Sequence, residues 1–119
     1  MLRTTILIAA LVVASPALAH SKLVAATPAA NATVGKTGKL TLMFNERLMP
    51  QFSGATIAMP AMANHAPMPV AAIAKVAADG KTMTITPARP LGAGTYRVDW
   101  HSAGIDMHKL TGSYSFTVK

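Results

Sequence analysis

The sequence predicts an all-β protein: an antiparallel Greek-key β-sandwich or barrel, immunoglobulin-like, with about seven strands. Three observations carry this. Short apolar stretches alternating with period two recur along the chain. Gly, Pro, Asn and Asp punctuate them at sandwich-like intervals. No stretch shows a helical period.

The chain of 119 residues opens with a segment unlike the rest. Arg3 supplies a positive start, Ile6 to Val13 an apolar run, and Ala17-Leu18-Ala19 the small residues that a signal peptidase reads. Residues 1–19 are expected to be a signal peptide and 20–119 one mature domain, enough for a single core. An uncleaved amphipathic anchor is the alternative. The apolar run is shorter than the roughly 20 residues of a membrane span, and no second run follows. Without cysteine there is no lipoprotein signal. The expected product is exported, has no membrane span, and is periplasmic in a Gram-negative source.

The mature chain then reads strand by strand. Lys22 to Ala26 is a first strand, and 28–38 a connection. Lys39 to Asn45 places Leu40, Leu42 and Phe44 on one face and Thr41, Met43 and Asn45 on the other. Glu46 to Gly54 is a loop or helical turn, and Ala55 to Met59 a strand. Pro60 to Pro69 carries three prolines and reads as a long loop. Val70 to Val76 resumes strand character, and Asp79-Gly80 signals a hairpin. Thr82 to Thr86 turns Met83 and Ile85 inward. Thr95 to Trp100 aligns Tyr96, Val98 and Trp100, with Trp100 as core anchor. Ala103 to Leu110 is a loop, and Ser113 to Val118 aligns Tyr114, Phe116 and Val118.

Composition narrows function. The formal charge is +7, but the cations are scattered with no run and no aromatic interleaving, so nucleic acid is not an expected partner. The absence of cysteine removes disulfides and thiolate ligands. There is no Gly-rich phosphate loop and no Gly-x-Ser-x-Gly, and the carboxylates number only four. An enzyme is therefore not expected. Eight methionines are many for this length.

Three clusters can bind metal. Cleavage after Ala19 makes His20 the first residue, so its α-amine and imidazole can chelate one ion, for which Cu(II) is the best candidate. Asp106-Met107-His108 places a carboxylate and an imidazole at i and i+2, on one side of an extended segment. With His20 they make two imidazoles, an amine and a carboxylate, a set suited to tetragonal Cu(II). In the loop, Met59, Met62, His65 and Met68 fall within ten residues, and thioethers select Cu(I). Met59 reads equally as core. Met83 reads as core, Met43 and Met49 as core or loop support. His101 reads as a ligand, an outer partner of the site or a solvated strand end.

These residues give the chain a resemblance to the CopC family of periplasmic copper-resistance proteins. It is carried by His20-Ser21-Lys22-Leu23-Val24, Leu40-Thr41-Leu42-Met43-Phe44, Gln51-Phe52-Ser53-Gly54-Ala55, Gly94-Thr95-Tyr96-Arg97-Val98-Asp99-Trp100 and Asp106-Met107-His108. The resemblance implies a β-sandwich copper carrier without turnover. It implies Cu(II) at His20, Asp106 and His108, and in members with a Met-rich loop Cu(I) at Met59, Met62, His65 and Met68. The loop here is shorter than that pattern, with one Met fewer. Expected partners are copper ions and copper-handling proteins of the periplasm or inner membrane, and a monomer is expected. The competing readings are a copper-dependent oxygenase using the N-terminal histidine chelate, and a metal-independent immunoglobulin-like interaction module.

Overall fold

The computed structural model describes residues 22–62 and 65–119. Nine strands run through them: β1 (Leu23–Thr27), β2 (Thr33–Val34), β3 (Leu40–Phe44), β4 (Gly54–Met59), β5 (Met68–Val70), β6 (Ala72–Val76), β7 (Thr82–Pro87), β8 (Gly94–Ala103) and β9 (Lys109–Val118). A single 3-10 turn, Pro50–Phe52, precedes β4. One sheet has the order β1-β3-β7-β6, the other β2-β9-β8-β4-β5. All pairings are antiparallel except β2 with β9. This is the expected antiparallel sandwich. No helix among the described residues is long and apolar enough to cross a membrane.

The alternation in the sequence is what closes the core. Leu40, Leu42 and Phe44 of β3 and Met83 and Ile85 of β7 face inward from one sheet. Ile57 of β4, Tyr96 and Val98 of β8, and Phe116 and Val118 of β9 meet them from the other. Each such side chain contributes roughly 1.5–3 kcal/mol when fully buried. Tyr96 stacks on Phe116 with centroids 5.8 Å apart, and its hydroxyl donates to the Gly92 carbonyl at 2.8 Å. The Asp79-Gly80 turn forms as expected. Gly80 takes φ 73°, and Asp79 accepts the amides of Lys81 and Thr82, each at 2.9 Å, and the Thr82 hydroxyl at 2.7 Å. Those donors, the Thr82 hydroxyl foremost, lower the Asp79 carboxyl below its usual range.

Four details depart from the sequence reading. β2 lies inside the expected 28–38 connection, held there by its pairing with β9, and with β5 it raises the expected seven or so strands to nine. Met68 to Val76 is two strands: β5 pairs with β4 in one sheet and β6 with β7 in the other, and the chain changes sheets at Ala71. The expected 60–69 loop therefore contributes β5 to the sandwich. The β8–β9 hairpin is longer than expected, pairing from Gly94↔Val118 to Ala103↔Lys109. Trp100 is only half-buried: it meets Phe44 edge-on at 5.4 Å and lies over its cross-strand partner Gly112, where its ring fills the space a Cβ would need. It seals the margin of the core rather than its centre.

Candidate functional site

The β8–β9 hairpin ends in a short tip that carries Asp106 and His108. Beyond the last ladder pair, the Met107 amide donates to the Gly104 carbonyl at 3.0 Å, and the Gly104 amide to the His108 carbonyl at 3.4 Å. Ile105, Asp106 and Met107 thus form a three-residue loop. Its third residue, Met107, stands at φ 68°, in the left-handed region where such loops normally place Gly. For a side-chain-bearing residue that conformation costs roughly 1–2 kcal/mol.

This turn, not an extended segment, brings the Asp-x-His pair together. Asp106 Oδ1 accepts the His108 amide at 3.1 Å, while Asp106 Oδ2 stands 3.0 Å from His108 Nδ1. A carboxylate only accepts, so Nδ1 donates in this pair and Nε2 carries the lone pair. The tip is held from below. Leu48 bridges to Gly104, the Met49 amide donates to the Ala103 carbonyl at 2.8 Å, and the Ala103 amide donates to the Ser53 hydroxyl at 3.0 Å. Lys109 places its ammonium 5.6 Å from the Phe52 ring centre. None of these supports is marked by a metal-binding pattern in the sequence; their signal is only that the 46–54 loop lies between strands.

The start of the described chain lies at the same end. Lys22 donates its amide to Asn45 Oδ1 at 2.6 Å and accepts the Asn45 amide at 3.1 Å. Asn45 and Asp106 in turn line one cleft of about 560 Å³ together with Glu46, Arg47, Lys81 and Ile105. His20 lies outside the described residues. Among those described, no three His, Asp or Glu side chains gather. His101 sits on the outer face of β8 with its ring against Gly54, and it forms no cluster with Asp106 and His108.

The methionine segment occupies the opposite end of the sandwich. Met59 and Met68 are cross-strand partners at the end of the β4–β5 pair. Farther out, Met62 and His65 exchange both backbone hydrogen bonds, at 3.0 and 3.2 Å, so their side chains stand opposite one another. The His65 Nδ1 donates to the Ala66 carbonyl at 2.9 Å, which fixes the tautomer and leaves Nε2 as the acceptor. Met62 is 65 % and Met68 50 % exposed. Met59 differs: it packs against the core, its methyl close to Gly94. Gly94 and Ala103 end the ten-residue β8, so the two donor groups are separated by about 30 Å of strand.

A small two-sheet sandwich with an imidazole–carboxylate tip at one end and an imidazole–thioether hairpin at the other describes one class of protein, and comparison with known proteins identifies it. The CopC domain matches residues 23–119; the chain belongs to the CopC family. It is 47 % identical over 117 residues to copper resistance protein C of Pseudomonas syringae pv. tomato, covering 97 % of this chain and 93 % of that one. It is 47 % identical over 110 residues to copper resistance protein C of Escherichia coli, covering 90 % and 87 %. The crystal structure of PcoC, a methionine-rich copper resistance protein from Escherichia coli, superposes with TM-score 0.78 at 48 % identity, over 85 % of this chain and 100 % of that one. CopC from Methylosinus trichosporium OB3b superposes with TM-score 0.72 at 29 % identity, over 84 % and 94 %.

Proposed function

We propose that this protein is a periplasmic copper carrier of the copper-resistance type, working by binding and release without catalytic turnover. Residues 1–19 are removed on export, and the domain 20–119 remains. Cu(II) is held by the amine and ring of His20 with Asp106 and His108. Cu(I) is held by Met62, His65 and Met68, with Met59 as the ligand nearest the core. The carrier receives copper from, and yields it to, other copper-handling proteins of the periplasm or inner membrane.

The observation that carries this reading is the 3.0 Å approach of Asp106 Oδ2 to His108 Nδ1. Two ligands in adjacent positions of a tetragonal ion, with bonds of about 2.0 Å, stand about 2.8 Å apart. A metal ion bound between them therefore needs little movement of either group, provided that the imidazole takes the tautomer with its proton on Nε2 and its lone pair on Nδ1. The tether of Lys22 to Asn45, beside the same cleft as Asp106, supports His20 as the third ligand, since two residues of chain span up to about 7 Å.

The test is the free amine. Protein beginning at His20 is compared with protein carrying one extra residue before it. The extension should weaken Cu(II) binding severely and change the electron paramagnetic resonance spectrum. Unchanged affinity and spectrum would exclude the amine. Absence of copper binding tighter than micromolar in either form would favour an interaction module, and peroxide-dependent sugar oxidation by the copper-loaded protein an oxygenase.

A further inference from the structure

We propose that Met107 is a further copper ligand, a thioether that joins the Asp106/His108 tip when copper is in its reduced state. The inference rests on the reading of that tip as a copper site and extends it to a residue outside the nitrogen and oxygen set.

The hairpin geometry singles out Met107. The third position of this loop takes a positive φ, where Gly serves at no steric cost. Met107 occupies it at φ 68°. Local rules of this kind are broken chiefly where a side chain is needed for function. Packing does not supply the need: Met107 is 55 % exposed and forms no part of the core, whereas the core methionine Met83 is fully buried. Nor is the turn free to relax. It is closed by the Met107–Gly104 and His108–Asp106 hydrogen bonds, and its base is clamped by Leu48, Met49 and Ser53.

The same backbone turn removes the argument that would send this thioether elsewhere. In an extended segment residues 106 and 108 share one face and residue 107 faces away. At φ 68° that alternation is broken, and the residue between the two ligands in sequence carries an unbranched side chain with three rotatable bonds, long enough to turn toward either of them. Chemically, an amine, imidazoles and a carboxylate favour Cu(II), and a soft sulfur adds affinity for Cu(I). The tip would then retain copper after one-electron reduction by an external reductant such as ascorbate.

The experiment uses protein beginning at His20 with the far loop disabled by Met62→Leu, His65→Gln and Met68→Leu. Cu(I) affinity is measured by competition with bicinchoninate under ascorbate, and Cu(II) affinity by a chelator competition in air. The Met107 methyl is followed by NMR. Met107→Leu should lower Cu(I) affinity about tenfold, and by a larger factor than Cu(II) affinity, and the wild-type methyl resonance should shift on adding Cu(I). Met107→Gly, which suits the turn, should melt higher than wild type yet show the same Cu(I) loss. A Cu(I) affinity unaltered in both variants, or an unmoved methyl resonance, overturns the proposal. Failure of the parent protein to bind Cu(II) overturns the tip site itself, a distinguishable result.

Discussion

His108 Nδ1 and Asp106 Oδ2 face each other at 3.0 Å, and the same carboxylate holds the His108 amide through its other oxygen. Asp106 therefore positions the imidazole and sets a carboxylate oxygen beside it, the arrangement that the proposed Cu(II) site uses. Asp106→Asn keeps one acceptor oxygen for the His108 amide but puts an NH2 donor in place of the other oxygen and loses the charge. It should lower Cu(II) affinity by about 10–100-fold, and Asp106→Ala by more, as read by competition with a calibrated chelator. Equal affinity in all three proteins would remove Asp106 from the site.

The far hairpin should behave as a separate site. Replacing Met62, His65 and Met68 together should abolish Cu(I) binding at that end while Cu(II) affinity at the tip stays within about twofold, since separated sites with no shared partners act nearly additively. Met59→Leu alone should matter less for Cu(I), because its side chain already packs against the core beside Gly94. Simultaneous loss of both oxidation states would argue for one shared site.

Gly112 is fixed by its neighbour. A methyl group there has no room beside the Trp100 ring, so Gly112→Ala must push Trp100 off Phe44. Overpacking of this kind costs about 1–3 kcal/mol, visible as a lower denaturation midpoint and a shifted tryptophan emission. An unaltered midpoint would mean that Trp100 moves without cost.

Two groups with shifted pKa values link stability to pH. Asp79 has its carboxyl lowered by the Thr82 and Lys81 donors, so its contribution is present above the unfolded-state pKa and is lost as pH falls through the lower folded value. Asp79→Ala should destabilise the protein at neutral pH and flatten the acid limb of the melting-temperature profile. Tyr114 behaves in the opposite sense. Burial raises it to about 12, and among the described residues its buried hydroxyl has no hydrogen-bond partner. The unfolded state loses this proton first, so stability present below about pH 10 falls as pH rises toward 12. Tyr114→Phe should remove that loss and leave neutral-pH stability equal or higher, because an unpaired hydroxyl is deleted. An ultraviolet titration showing both tyrosines ionising near pH 10 would contradict it.

The sandwich was legible in the sequence wherever a strand buries one face over several residues. Leu40, Leu42 and Phe44, or Met83 and Ile85, can alternate only one way. β2 and β5 were not legible, because two or three residues carry no period and Pro69 argues against a strand; their partners across the sheet place them. The pairing of Asp106 with His108 was legible from spacing, but its cause was not. Extended geometry was expected, and a tight loop with Met107 at positive φ delivers it. The contribution of Asn45 and Ser53 to that end of the molecule depends on contacts distant in sequence, which no local pattern records.

The ten-residue β8 has one further consequence. It separates the hairpin tip from the methionine segment by about 30 Å, far beyond the reach of any ligand side chain, so no copper ion can pass between them through a shared coordination sphere. Movement of copper from one end to the other requires release and recapture, or an encounter of two molecules aligned head to tail. By the encounter route, the redistribution of copper between the two proposed sites after a change of oxidation state would be second order in protein, its rate rising with protein concentration.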